Sequence, residues 1–206
     1  GAYPHIASPD VHVSHETRQI IMYVHGRDLG PQVTRVATSS DGIDFDGHPE
    51  ILGRPYFRAF QHDNFTYALA MPGVMYRSRT GLTDFEEGPN LFNPDMRHSA
   101  LLKRGNQLFV FWTERNDAPE RIYVSHIDLS TEWKTWTRSN PVEVLRAEFP
   151  WEGSDLPVEP SRGGAINVPV NQIRDPAIYE EDGRVYLLYA VAGERGISLA
   201  EVHVSP

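Results

Sequence analysis

Carboxylates in this chain stand at places where a strand would begin, and that position decides what chemistry they can do. Asp10 lies in Ser8-Pro9-Asp10-Val11 and Asp175 in Arg174-Asp175-Pro176-Ala177, each heading an apolar run. A carboxylate there either exchanges protons in a cavity or caps the strand entry by bonding nearby backbone. Glu152 and Asp155 sit with Trp151 in a Pro- and Gly-rich stretch, where they either fold over a site or stay solvated. Glu194, in Ala192-Gly193-Glu194-Arg195-Gly196, reads as a surface turn. Arg54, Arg97 and Arg174 each precede or adjoin such an opening. Three guanidiniums so placed would grip an acidic ligand bidentately or neutralise neighbouring carboxylates. The nine histidines raise a metal reading. Asp10 and His12 share a strand face, and with His98 they would make a mixed nitrogen–oxygen site. No Cys/His spacing or helical His pair supports zinc, so no resident metal or cofactor is expected. A water or divalent cation near His98 is the alternative to a buried, hydrogen-bonded structural histidine, which is favoured.

These residues are positioned by a phrase repeated with variation about four times. Its clearest copy is Arg174 to Tyr179, the turn Glu181-Asp182-Gly183, then Val185-Tyr186-Leu187-Leu188-Tyr189. Earlier copies are Ser8 to Val13 with Ile20 to Val24, Arg54 to Arg58 with Phe65 to Leu69, and Arg97 to Leu102 with Leu108 to Trp112. A third strand follows each pair, and in the first copy it ends in Ser39-Ser40-Asp41-Gly42, whose Asp and Gly are turn chemistry. An aromatic then follows (Phe45, Phe85, Trp133 and Trp136) and is expected to pin the outermost strand. Short strands repeating at roughly 45 residues predict a propeller-like all-β array. Openings fall near Asp10, Pro55, His98 and Asp175, and the long last interval places an insertion at about 140–172. In such an array the openings gather around one axis, which would bring Asp10, His98 and Asp175 together.

Composition bounds the partners. The 206 residues suffice for one domain over 1–206 with a substantial core. Sixteen Gly, sixteen Pro and no sustained helical period agree with β structure and many turns. A formal charge of −9 argues against nucleic acid or an anionic membrane as partner, and neutral ligands such as sugars stay open. No apolar stretch is long enough to cross a membrane, which suggests a soluble chain. The absence of Cys excludes disulfides and leaves the compartment undecided. No signal peptide is visible, but the chain opens Gly1-Ala2-Tyr3, without Met.

The three phrases Ser8-Pro9-Asp10-Val11, Arg97-His98-Ser99-Ala100 and Arg174-Asp175-Pro176-Ala177 resemble blade-opening motifs of five-bladed β-propeller glycosidases. That group takes in the family 43 glycoside hydrolases, the arabinanases and the invertase–levansucrase clan. The resemblance implies an all-β, five-bladed type of propeller with about four blades present, Asp10 as the blade-two Asp and His98 as an axial His. It implies a carbohydrate ligand at an axial cavity, with Asp10 positioning it and Asp175, Glu152 or Asp155 giving or taking the proton. Arg54, Tyr56, His98, Trp151 and Arg174 are the expected substrate-binding set. Two departures from the pattern point to a chain inactive by itself. Arg54 stands where blade three should offer an acidic Glu, and only Gly1 to Ala7 precede the Ser8-Pro9-Asp10 opening, which suggests a missing first blade. Blade faces bared in that way are expected to pair two copies into a homodimer. The rival expectation is a non-catalytic carbohydrate-binding or protein-interaction propeller.

Overall fold

A computed structural model describes residues 5–27 and 30–204; the opening Gly1-Ala2-Tyr3 lies outside them. The described chain is built from antiparallel strands, with two short 3-10 turns at Trp133–Thr135 and Pro150–Glu152. It divides into two compact units, 1–91 and 92–206.

The first unit holds two four-stranded meanders. One runs β1 (His5–Ser14), β2 (Gln19–Arg27), β3 (Val33–Ser39) and β4 (Asp46–Gly47). The other runs β5 (Arg58–His62), β6 (Phe65–Ala70), β7 (Val74–Ser78) and β8 (Glu86–Asn90). Strand alternation turns Tyr23, Val36, Ala59, Ala68 and Tyr76 inward, and they pack with Leu52 and Phe57 between the sheets. The second unit holds β9 (Met96–Arg104), β10 (Gln107–Glu114), β11 (Ile122–Asp128) and β12 (Val142–Leu145), then a three-stranded sheet of β13 (Arg174–Glu181), β14 (Arg184–Val191) and β15 (Gly196–Glu201). Leu102, Phe111, Ile122, Leu187 and Tyr189 form its core. Residues 142–145 are the outermost strand of their sheet, so the insertion proper begins after Leu145, later than the sequence suggested.

The turn chemistry works as read. Ser39 Oγ accepts from the N–H of Asp41 and Gly42, and Asp41 Oδ1 accepts from Ile43 and Asp44. Those backbone donors hold the Asp41 carboxyl below its usual range. Ser78 repeats the device on Thr80 and Gly81. The aromatic that follows packs inward: Phe85 meets Phe57 at 5.2 Å, and Trp133 and Trp136 are each 3% exposed.

The repeated opening has a structural counterpart, a one-residue bulge at the start of each sheet's first strand. Four residues on β1 (Ala7 to Asp10) face three on β2 (His25 to Tyr23). Met96 to Ser99 likewise face Glu114 to Trp112, and Arg174 to Ala177 face Ala190 to Leu188. In β5, Met71 donates to Pro55 O while Arg58 pairs with Leu69, giving the same offset. A bulge frees residues from the ladder and re-aims their side chains. The first freed residues are Ser8, Tyr56, Arg97 and Asp175. Three of them hold positive φ (Ser8 48°, Tyr56 66°, Asp175 52°). That conformation costs a non-glycine residue about 1–3 kcal/mol and concentrates at functional positions.

This register corrects the expected equivalence of openings. Asp10 aligns with Arg58, Ser99 and Ala177, whereas Asp175 aligns with Ser8. The three arginines also occupy three different register positions. Arg97 is a freed residue, Arg174 is the last paired residue before its bulge, and Arg54 precedes Pro55. A ring of like-placed guanidiniums does not follow from the fold.

Candidate functional site

In each unit the bulges of two neighbouring first strands meet, and a carboxylate stands at each meeting point. In the first unit Arg58 Nη1 donates to Ser8 O at 3.3 Å, across from β5 to the β1 bulge. Asp10 Oδ2 accepts from the Ala59 N–H at 2.7 Å and bonds His12 Nε2 at 2.8 Å. The expected Asp10–His12 pairing on one strand face is therefore present, and it holds both side chains in place. Burial lowers the Arg58 guanidinium from its ordinary value, and the Asp10 charge opposes that. Burial, helped by Asp10, pushes the Tyr23 hydroxyl up.

Tyr56 is presented on this cluster by its strained bulge. Its ring lies over His25 with centroids 4.0 Å apart, and His5 meets His25 edge-on at 6.0 Å. His25 is 1% exposed. Burial, then the nearby His5 and Arg58 charges, bring its pKa from 6.5 down to about 4. The folded value lies below the unfolded one, so the associated stability is complete above pH 6.5 and is lost as pH falls toward 4. Acidification over that window is expected to cost about 2–3 kcal/mol, because the unfolded chain takes up a proton that the folded one refuses. In His25→Phe, which keeps a ring over Tyr56, urea unfolding across the same window should lose that part of the slope. An unchanged slope would show that His25 does not carry it. Arg54 lies apart from this cluster: it is half exposed, its guanidinium 3.9 Å from Glu87.

The second unit places His98, freed by the β9 bulge, against Asp175, freed by the β13 bulge, with Nδ1 of His98 on Oδ1 of Asp175. His98 is largely buried and Asp175 keeps about a third of its side chain exposed. The carboxylate can orient the imidazole and still reach solvent. Asp175 and Glu194 both line a cavity of about 470 Å³ whose apolar wall is Leu188, Tyr189 and Ile197.

Beneath the pair lies Glu120, which motif reading missed. It is fully buried, and its Oε2 takes both Arg97 Nη1 at 3.3 Å and Arg174 Nη2 at 2.9 Å. Burial pushes the Glu120 carboxyl up, and the two guanidiniums oppose it. Arg97 and Arg174 are sequence neighbours of His98 and Asp175, so one carboxylate ties both bulges. Arg174 is fully buried, with further bonds to Gln172, Glu194 and Gly164 O. Its guanidinium is engaged in holding the site rather than presented to solvent. Glu120 stands in Pro119-Glu120-Arg121, with no periodicity or motif to mark it. Only the meeting of two arginines with it in space does so.

The insertion is ordered by its own hydrogen bonds. Glu152 is 3% exposed; its Oε2 accepts from the N–H of Glu148 and Phe149, and its Oε1 from Tyr189 Oη at 2.9 Å. Glu152 thus ties the loop to β14. Ser161 exchanges backbone bonds with Asn116 and Asp117. Asp155 is exposed, and Trp151, 55% exposed, stacks on Phe149 at 5.6 Å. Among the described residues no group of three or more His, Asp or Glu side chains is arranged to hold a metal ion. No described helix is long and apolar enough to cross a membrane.

No protein-family profile matches the chain. An uncharacterized protein of Acanthamoeba polyphaga mimivirus is 37% identical over 217 residues, which is 96% of this chain and 61% of that protein. The chain therefore spans less than two thirds of that relative. Among solved structures, a thermostable family-43 glycoside hydrolase matches all of this chain and 72% of its own, with a TM-score of 0.69 and 14% identity. The alpha-L-arabinanase of Cellvibrio cellulosa matches 98% of this chain and 75% of its own (TM-score 0.64, 10% identity). A glycosyl hydrolase from Bacteroides ovatus matches 95% and 64% (TM-score 0.66, 10% identity). At these identities the likeness is one of fold: an all-β propeller of the kind found in family-43 glycoside hydrolases.

Proposed function

We propose that this chain is a glycoside hydrolase-like propeller that recognises carbohydrate at its strand openings and does not turn glycosides over by itself. The observation that carries the reading is the strained bulge shared by the first strands, which places Tyr56 and Asp175 at openings of a fold used by carbohydrate-active enzymes. In the first unit Asp10 supplies directional hydrogen bonds for sugar hydroxyls and Tyr56 a flat apolar face; in the second Asp175 and His98 supply the hydrogen bonds and Trp151 the apolar face. Arg54, half exposed, is the guanidinium of the expected set free to reach a ligand; Arg174 acts as a positioning residue.

Glycoside hydrolysis needs one carboxyl that gives a proton and a second carboxylate that acts as nucleophile or base. Asp10 and Glu152 both accept from backbone N–H groups, which fixes them in place. Asp175 is engaged by His98. Asp155 is left as the exposed candidate. The expected result is binding of arabino- or xylo-oligosaccharides, seen by calorimetry, without release of nitrophenol from the aryl arabinoside, xyloside or fructoside. Turnover that vanished in Asp10→Asn or Asp175→Asn would replace this reading with an enzyme. Absence of binding to every neutral oligosaccharide tried would remove the carbohydrate reading itself.

A further inference from the structure

The first unit contains a second cavity, of about 560 Å³, between its two sheets. It lies toward the ends of β1 and β5 away from their bulges, lined by the β1–β2 hairpin, by Ala59 to Gln61 and by the turn Arg79 to Leu82. Its volume is in the range of small-molecule sites. The turn is shaped tightly around it. Gly81 has φ +73°, and a Cβ there would sit 2.7 Å from Thr66 Oγ1 and 3.2 Å from Tyr23 Oη. The Tyr23 hydroxyl donates to Gly81 O at 2.7 Å, which fastens the turn of one sheet to the other.

Three features define the chemistry of the lining. First, Arg79 is exposed, its guanidinium 4.5 Å from the Phe65 ring centroid, with no carboxylate in ion-pair contact among the described residues. A free guanidinium at a cavity is notable in a chain with 28 acidic and 19 basic residues. Second, His12 is held in place by Asp10, and His15 stands on the adjoining turn. Third, Gln61 donates to Thr66 Oγ1 at 2.8 Å, which leaves its carbonyl oxygen available to a hydroxyl, while Phe60 offers an apolar surface. Glu16 on the same lining repels dianions more than monoanions.

We propose that this cavity binds a hexuronate, a sugar ring bearing one carboxylate. Arg79 takes the carboxylate bidentately, the favoured geometry for guanidinium and carboxylate. Gln61 and the histidines take ring hydroxyls. This site shares no lining residue with the carbohydrate site proposed at the strand openings, though Asp10 of that site orients His12 of this one.

The test is titration of the purified chain with glucuronate and galacturonate, followed by amide chemical shifts, beside glucose, galactose and inorganic phosphate. Uronate is expected to move the resonances around Gln61 and Arg79, with phosphate at least tenfold weaker and the neutral sugars without effect. Arg79→Gln, an exposed substitution, should weaken uronate at least tenfold, and Gln61→Ala should weaken it to a smaller degree. Asp175→Ala should leave uronate binding unchanged, which separates this proposal from the reading of the strand openings. Equal binding of neutral sugars, phosphate binding tighter than uronate, or full affinity in Arg79→Gln would overturn it.

Discussion

Glu120→Ala is expected to lose about 3–5 kcal/mol of stability, because it leaves two buried guanidiniums without their common counter-charge. For a chain of this length that corresponds to a fall in melting temperature of roughly 6–20 °C. Arg97 is 4% exposed and Arg174 0%, so water cannot replace the lost carboxylate without opening the core of the second unit. Glu120→Gln keeps the shape and also loses the charge, and it too should be destabilised. The comparison that isolates burial is Glu180→Ala. Glu180 pairs with Arg104 at 2.5 Å, but both side chains are more than 40% exposed, so the cost should stay below about 1 kcal/mol. Thermal unfolding of the variants side by side decides the matter. If Glu120→Ala were no worse than Glu180→Ala, the buried cluster would not be holding the bulges.

Asp175→Ala is expected to lower oligosaccharide affinity about ten- to a hundredfold, the loss of a hydrogen bond from a charged acceptor worth about 1.5–3 kcal/mol. Asp175 contacts the His98 ring and stays partly open to solvent. The substitution therefore removes a ligand partner and also releases the imidazole from its fixed orientation. Two controls separate these effects. His98→Gln keeps a hydrogen-bonding side chain beside Asp175 and should cost less than Asp175→Ala. Asp155→Ala, in the exposed part of the insertion, should show whether the loop takes part at all. Stability should change only modestly in Asp175→Ala, because the side chain stands outside the core; alanine tolerates the positive φ somewhat less well than aspartate. An Asp175→Ala chain that binds sugar as tightly as the parent would remove the strand openings from the proposed site.

Sheet content, turn positions and the number of repeats were legible in the amino-acid order because they depend on local periodicity. Alternating apolar residues such as Val185, Leu187 and Tyr189 must point to one face, and Ser39-Ser40-Asp41-Gly42 carries its own turn-forming groups. The same locality made the Asp10–His12 pair predictable, since residues two apart on a strand share a face. Equivalence of the openings was beyond that reach. A bulge adds one residue to one strand without changing the pattern of residue types, so Asp10 and Asp175 looked alike in sequence and differ by two positions in register. The roles of Arg174, Glu152 and Glu120 were decided by tertiary structure alone. Whether a charged side chain faces solvent or another charge depends on which distant segment packs over it. Arg174 looks like a ligand-binding guanidinium until Glu120, 54 residues away in sequence, is found against it. Glu152 looks like a replacement acid until the Tyr189 hydroxyl and two backbone donors occupy it. A sequence carries the type and the spacing of such groups; their free energies are set by partners and burial, which exist only once the strands have closed around them.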